Sequence, residues 1–266
     1  MNELLLAELK SEHIKMLDTL VLAEEFIFGA GIKPIPQVQA LADHCLAEIE
    51  DIEDELTQAE TLINELFVNQ LFLDKKHTLW PVSSHQIVPS LLYRIMSPAL
   101  KCILLSHIIK HCGFEANIVY VPEKLMVQLV CDEDYTIIFD PIVGDSLTWE
   151  DLSLRMSDSD HFINFQQVEP LSDKEVLLKH FSSLKEALIR ENEYRKALKC
   201  IDVILALKPD DPYLRRDRGF LLHQLDCFKV AYDDYRYFVE QCPQDPAAQL
   251  LKLQLENITI TDTILH

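Results

Sequence analysis

From residue 173 onward the chain repeats itself with a period of 34. Tyr194 and Phe228, Ala197 and Ala231, Pro209 and Pro243, Asp211 and Asp245, and Pro212 and Pro246 all stand at that offset. Each Asp-Pro pair supplies a helix cap followed by a first-turn proline. The period predicts antiparallel helix pairs over 173–191, 193–207, 212–225, 228–241 and 246–256, the first opened by the capping box Ser172-Asp173-Lys174-Glu175. Units of this kind bury their apolar faces only on one another, and an array generally needs about three. Two pairs and one further helix fall short, so this half is expected to pack on the rest of the chain.

A second constraint lies over residues 97–144. Ser97-Pro98-Ala99-Leu100-Lys101-Cys102 opens an apolar run that stops at Cys112-Gly113. Ser97 is placed to cap a helix, Pro98 suits its first position and Gly113 its left-handed end. Three β-branched or aromatic runs follow, 116–121, 125–131 and 135–139, with Pro122-Glu123-Lys124 and Asp132-Glu133-Asp134 as turns between them. A helix-borne thiol facing antiparallel strands is the arrangement in which cysteine hydrolases and transglutaminases set a nucleophile against His and Asp. Earlier in the chain, helical spacing predicts one or two helices over 2–28, another from 37 towards 56, and a third to about residue 72, opened by the capping box Thr57-Gln58-Ala59-Glu60. Residues 74–90 read as an ordered loop, and 149–165 show no period.

Together the two halves resemble the SirB-type family of bacterial proteins, which join a transglutaminase-like domain to tetratricopeptide repeats. Phe139-Asp140-Pro141 and Arg216-Asp217-Arg218-Gly219-Phe220-Leu221-Leu222 carry the resemblance, over roughly residues 35–256. It implies an α+β fold, mostly helical, with a papain-like domain and small antiparallel sheet to residue 171, repeats over 172–258 and a tail over 259–266. It also implies a site, and there the sequence departs from the family. Relatives read Pro-Gly-His-Phe-Leu-Val at the second strand, where this chain has Pro122-Glu123-Lys124-Leu125-Met126-Val127, so Lys124 replaces the base. Leu100 falls near the nucleophile position, with Cys102 half a turn on, and Asp140 remains as the orienting acid. Cys102, Lys124 and Asp140 are thus the remnant positions.

A thiol needs a base or cation to act as thiolate, and protonated lysine cannot take a proton. The expectation is a non-catalytic interaction or regulatory protein, a pseudoenzyme. The alternative is a cysteine-dependent amidase, protease or transamidase using Cys102 with Asp140, Cys102 otherwise being a core cysteine. His107 and His111 share a helix face as metal ligands do, yet Ile108 stands where the zincin pattern needs Glu, so neither metal nor cofactor is expected.

In the repeats, the first helix of each pair would present Lys179, Arg190, Tyr213, Arg216 and Phe220 to a groove, with Arg215, Arg216 and Arg218 as a basic cluster suited to an acidic peptide. The competing expectation is that the chain's own acidic half covers this face. Residues 173–266 carry 14 Lys or Arg against 16 Asp or Glu, so −18 of the formal −20 falls on residues 1–172. Such charge disfavours nucleic acid and anionic membranes and fits either a basic protein surface or plain solvation. Seven scattered cysteines without a CxxC pair, and an acidic N-terminus unlike a signal peptide, point to a cytoplasmic protein of unspecified oligomeric state.

Overall fold

The computed structural model describes residues 1–29, 31, 34–70, 72–75, 77–121, 124–131, 135–147 and 168–264. The turns expected at Pro122-Glu123 and at Asp132-Glu133-Asp134, and the aperiodic stretch containing Trp149, lie outside these residues.

Four helices begin the chain: α1 (Glu3–Leu9), α2 (Met16–Phe28), α3 (Ile35–Ile49) and α4 (Glu55–Asn64), which widens into one π turn, Glu65–Asn69. α3 stops well before residue 56, so the acidic run from Glu48 does not decorate one helix face. Its last members instead open α4, where a helix dipole favours negative charge. Asp54 is the cap, its Oδ2 accepting from the Thr57 amide at 2.8 Å, and this displaces the capping box expected at Thr57. Within the expected loop, the 3₁₀ turn Val82–His85 and the short helix α5 (Ile87–Tyr93) form.

α6 (Pro98–His111) runs through the centre, nearly all of its residues buried, and ends at Gly113 with φ +92°. Beyond it β1 (Glu115–Val121), β2 (Lys124–Val130) and β3 (Thr136–Phe139) make an antiparallel meander in the order β1-β2-β3. The register sets Ile118 opposite Val127 and Val127 opposite Phe139. Alternation along the strands gives the sheet two apolar faces. Ala116, Ile118, Val127, Leu129 and Phe139 join the main core with α6, while Val119, Val121, Met126 and Ile138 form a smaller cluster with Leu147 and Val168.

The repeat helices follow the sequence period closely: α7 (Asp173–Arg190), α8 (Tyr194–Leu207), α9 (Pro212–Gln224), α10 (Phe228–Gln241) and α11 (Pro246–Ile264). The Ser172 capping box forms as expected, and Asp211 accepts from the Tyr213 and Leu214 amides. The expected tail at 259–266 is helical as far as Ile264, because α11 continues past residue 256. One hydrophobic cluster extends from Leu5 to Leu221. α8 packs on α1 and α2, and α7 on α6 and the 3₁₀ turn, so the short repeat array is completed by the N-terminal helices. Among the described residues no single helix is long and apolar enough to cross a membrane.

Candidate functional site

The site is a cleft of about 410 Å³ at the N-terminal end of α6. Ser97, Pro98 and Ala99 form its floor, Lys124 and Leu125 enter from the start of β2, Asp140 and Ile142 from the turn after β3, and Tyr120 from β1; His77, Trp80 and the α7 residues Lys179 and Ser183 close the other side.

Asp140 is fixed by the backbone. Its Oδ1 accepts from the Ile142 amide at 2.8 Å, its carbonyl accepts from the Gly144 amide at 2.8 Å, and its own amide donates to the Asp145 carbonyl at 3.0 Å. Gly144 sits at φ +76°, and a Cβ there would lie 2.8 Å from the Phe67 ring, so this turn needs glycine both for its dihedral and for the close approach. Phe67 in turn meets Phe139 edge-on, centroids 5.7 Å apart. Lys124 Nζ lies 3.6 Å from Asp140 Oδ2. Two of the three remnant positions therefore meet.

The third does not. Cys102 is fully buried, and burial, then the nearby Asp140 charge, push its thiol far up. Leu100 is equally buried. The α6 residues that line the cleft are Pro98 and Ala99, and Ala99 stands one turn nearer the helix start than Cys102. Three residues along a helix carry the side chain about 4.5 Å deeper, so Ala99 lies at the cleft while Cys102, like Leu100, lies in the core. Ser97 also departs from expectation. It occupies the N-cap with extended backbone but its hydroxyl makes no cap hydrogen bond; Ser97 is 1% exposed and, among the described residues, Oγ has no hydrogen-bond partner.

Beneath the cleft lies a residue that sequence reasoning passed over. Lys101 is fully buried, with Nζ donating to the Phe72 carbonyl and, at 3.5 Å, to that of Ile142. Burial pushes its pKa down to about 8, against the pull of Asp74 and Asp140. The signal was available: it is the one charge in the apolar run from Ala99 to Leu105. The unfolded lysine holds its proton to about 10.5 and the folded one releases it near 8, so across that window the unfolded state binds more protons and raising the pH favours folding. Between roughly pH 7.5 and 9.5 the wild type is expected to gain about 2 kcal/mol relative to Lys101→Met. Urea denaturation of both proteins at the two pH values measures this, and parallel stabilities would contradict a buried ammonium.

His77 donates through Nε2 to Asp74 Oδ1 at 3.2 Å and packs on Trp80, centroids 4.6 Å apart. Among the described residues no hydrogen bond joins Cys102 or Ser97 to a histidine. His111 pairs with Asp43 at 2.8 Å, and His107 lies among Lys15, Asp18 and Lys110. No group of three or more His, Cys, Asp or Glu suited to a metal occurs among the described residues.

Of the five residues expected to line the repeat groove, two contact the N-terminal half. Lys179 stands 3.9 Å from the Tyr120 ring centroid, and Arg190 donates to the Trp80 carbonyl. Both face the N-terminal half, whose 3₁₀ turn also receives α7 through His85 and Ser183. Tyr213 and Phe220 remain substantially exposed, and Arg216 pairs with Asp217 while lying 5.4 Å from the Tyr213 and Phe238 rings. The expected basic cluster is internally neutralised, since Arg215 and Arg218 both pair with the buried Asp234.

The comparisons with known proteins agree with this arrangement. A sequence profile described as transglutaminase-like superfamily matches residues 35–182, and one described as tetratricopeptide repeat matches 184–256. The chain is 34% identical over 150 residues to the UPF0162 protein of Vibrio cholerae, covering 55% of this chain and 56% of that protein. It is 34% identical over 152 residues to the UPF0162 protein YchA of Escherichia coli K12 and 31% identical over 152 residues to Protein SirB1 of Salmonella typhimurium, in each case over 56% of both chains. The chain thus spans little more than half the length of these curated relatives. No solved structure matches. With the helix, meander and Asp140 turn in place ahead of the repeats, the chain belongs to the transglutaminase-like superfamily, in the SirB-type arrangement that joins this domain to tetratricopeptide repeats.

Proposed function

We propose that this protein is a non-catalytic binding protein, in which a transglutaminase-like part to about residue 171 has become a ligand cleft and the repeats over 172–258 contribute to partner binding. The observation that carries this reading is Ala99 at the cleft position of α6, opposite the Lys124–Asp140 pair. A methyl group cannot attack a carbonyl, and an ammonium has donors only, so it cannot take a proton from a nucleophile. The buried Cys102, with its thiol pushed up rather than down, is the opposite of an activated nucleophile. Tetratricopeptide repeats generally mediate protein–protein contacts, and exposed Tyr213, Phe220 and Phe228 offer such a surface here.

Alkylation of the seven cysteines in the native protein, followed by mass spectrometry against pH, tests this. Exposed Cys227 is expected to label first and Cys102 only on unfolding. Fast labelling of Cys102 below about pH 7 would restore the cysteine-dependent amidase, protease or transamidase with Asp140 as its orienting acid.

A further inference from the structure

We infer that the groove between α3 and α5 is a docking site for an amphipathic helix of a partner protein, apolar on the face it buries and carrying Lys or Arg on its flank. The groove shares no lining residue with the cleft at the start of α6, so its occupancy is independent of the non-catalytic reading.

Both walls are helix faces. On α3, Gln37, Leu41 and His44 stand at i, i+4 and i+7, one stripe of a helix; on α5, Val88, Leu91 and Leu92 stand at i, i+3 and i+4. Between these ridges the groove measures about 670 Å³. Its polar walls already have partners within the protein. His44 Nε2 and Gln70 Nε2 both bond Glu65 Oε1, at 3.0 and 2.8 Å, and the Arg94 guanidinium stands over the Phe72 ring at 5.4 Å. What the groove offers a ligand is therefore chiefly apolar surface. Leu92 is 71% exposed and its neighbour Tyr93 66%. Single exposed apolar residues are ordinary, but two large ones side by side at an apolar groove mark an interaction surface. Two helical ridges with a trough between them accept a third helix, whose own ridge of apolar side chains fills the trough.

The charge around the groove selects which helix. The α3 stripe continues one turn past His44 to Glu48, and Glu50, Asp51 and Glu53 follow, all four exposed. Gln58 fixes this turn by bonding the Ile49 and Ile52 carbonyls at 3.2 and 2.6 Å. The carboxylates are thus carried on a braced segment, and no ion pair among the described residues neutralises them. A helix with Lys or Arg beside its apolar face satisfies groove and carboxylates together. Other occupants fit less well. A second copy of the chain brings a formal −20 to a surface that is already acidic, and residues 148–167 of the chain itself hold four Asp or Glu against one Arg. Like charge opposes both, whereas a basic segment is drawn in.

Fluorescence anisotropy with a labelled Leu/Lys peptide in amphipathic helical order, about four turns long, tests the inference. The comparisons are its scrambled isomer, equal in charge, and a Leu/Glu peptide in the same order. The ordered Leu/Lys peptide is expected to bind at least about tenfold more tightly than either. Leu92→Asp adds a negative charge, which by itself favours a cationic peptide, yet it should weaken binding about tenfold because it spoils the apolar wall. The double variant Glu48→Gln, Asp51→Asn should weaken binding about threefold, and Leu250→Asp, at an exposed leucine of α11, should not change it. Every substituted position is exposed, so the fold is expected to persist, and circular dichroism checks this. Equal affinity for the ordered and scrambled peptides, no saturation by about 1 mM, or full affinity in Leu92→Asp overturns the inference. Loss of binding in Leu250→Asp overturns the placement, moving the site to the repeats. Equal binding of the Leu/Glu peptide overturns the basic character of the partner. A wild-type dimer in sedimentation that Leu92→Asp abolishes makes the occupant a second copy and overturns the partner assignment.

Discussion

Lowering the pH from about 7 to about 5 is expected to remove about 4 kcal/mol of folding stability through His85 and His180 alone, and His180→Leu about half of that sensitivity. The two rings lie 6.0 Å apart where α7 meets the 3₁₀ turn. His85 donates through Nδ1 to the Pro81 carbonyl at 2.9 Å and accepts at Nε2 from the Ser183 hydroxyl at 2.8 Å. His180 is 1% exposed, packs edge-on against Phe181, and among the described residues neither ring nitrogen has a hydrogen-bond partner. Burial drives both pKa values down, to about 4 for His85 and about 3 for His180, with His85 adding to the effect on His180. Unfolded, each takes up a proton near 6.5. Below that pH the unfolded state therefore binds more protons, and stability falls as the pH drops until the folded rings titrate.

Glu24, whose Oε1 accepts from the Ile87 amide at 2.7 Å, works in the opposite direction. Burial raises its carboxyl to about 8, so it favours the folded state as the pH falls from 8 towards 4.5. The comparison of wild type with His180→Leu cancels that contribution. Because leucine also replaces two unpartnered nitrogens with apolar surface, the variant should be at least as stable as wild type near pH 7. Urea midpoints at the two pH values measure the difference, and parallel losses in both proteins would mean that His180 is hydrated.

Asp234→Ala should lower stability by about 3 kcal/mol. Asp234 is 2% exposed and accepts from Arg218 Nε and Nη2 at 2.6 and 2.7 Å and from Arg215 Nη1 at 3.2 Å. It thereby ties α10 to α9, and its loss leaves the half-buried Arg218 guanidinium with the longer contact to Asp202, at 3.7 Å. The figure sits at the low end for broken buried pairs because both arginines keep some contact with water. Adding Arg218→Met to Asp234→Ala should recover most of the loss, since replacing a whole buried pair with apolar groups is often neutral. If the single variant loses under about 1 kcal/mol, the pair contributes no more than a surface ion pair does.

The repeat helices, α6, the meander and the Gly113 stop were legible in residue order because their determinants are local: a 34-residue period, Asp-Pro caps, β-branched runs and a left-handed glycine. α5 escaped notice because seven residues hold no measurable period, and Pro89 in its first turn looks like a breaker although that position tolerates proline. Asp54 displaced the Thr57 cap because the helix starts three residues earlier: the Thr57 amide is itself capped and the Gln58 amide bonds the Asp54 carbonyl at 2.8 Å, which puts Thr57 inside the first turn.

The candidate site divides along the same line. Its family could be read from Phe139-Asp140-Pro141, and the lysine that meets Asp140 from its place at the head of the second strand, since both depend on residue identity at a place in a motif. Which residue of α6 meets that pair depends on helix phase and on how deeply the helix sinks beneath the sheet, and this placed Ala99 in the cleft and Cys102 in the core. Likewise the order of residues makes Lys179 and Arg190 members of a repeat face, but packing of α7 on the N-terminal half turns them towards Tyr120 and Trp80. Periodicity and capping act within a few residues of chain, whereas burial of a face depends on segments a hundred residues away, and no local pattern encodes that contact.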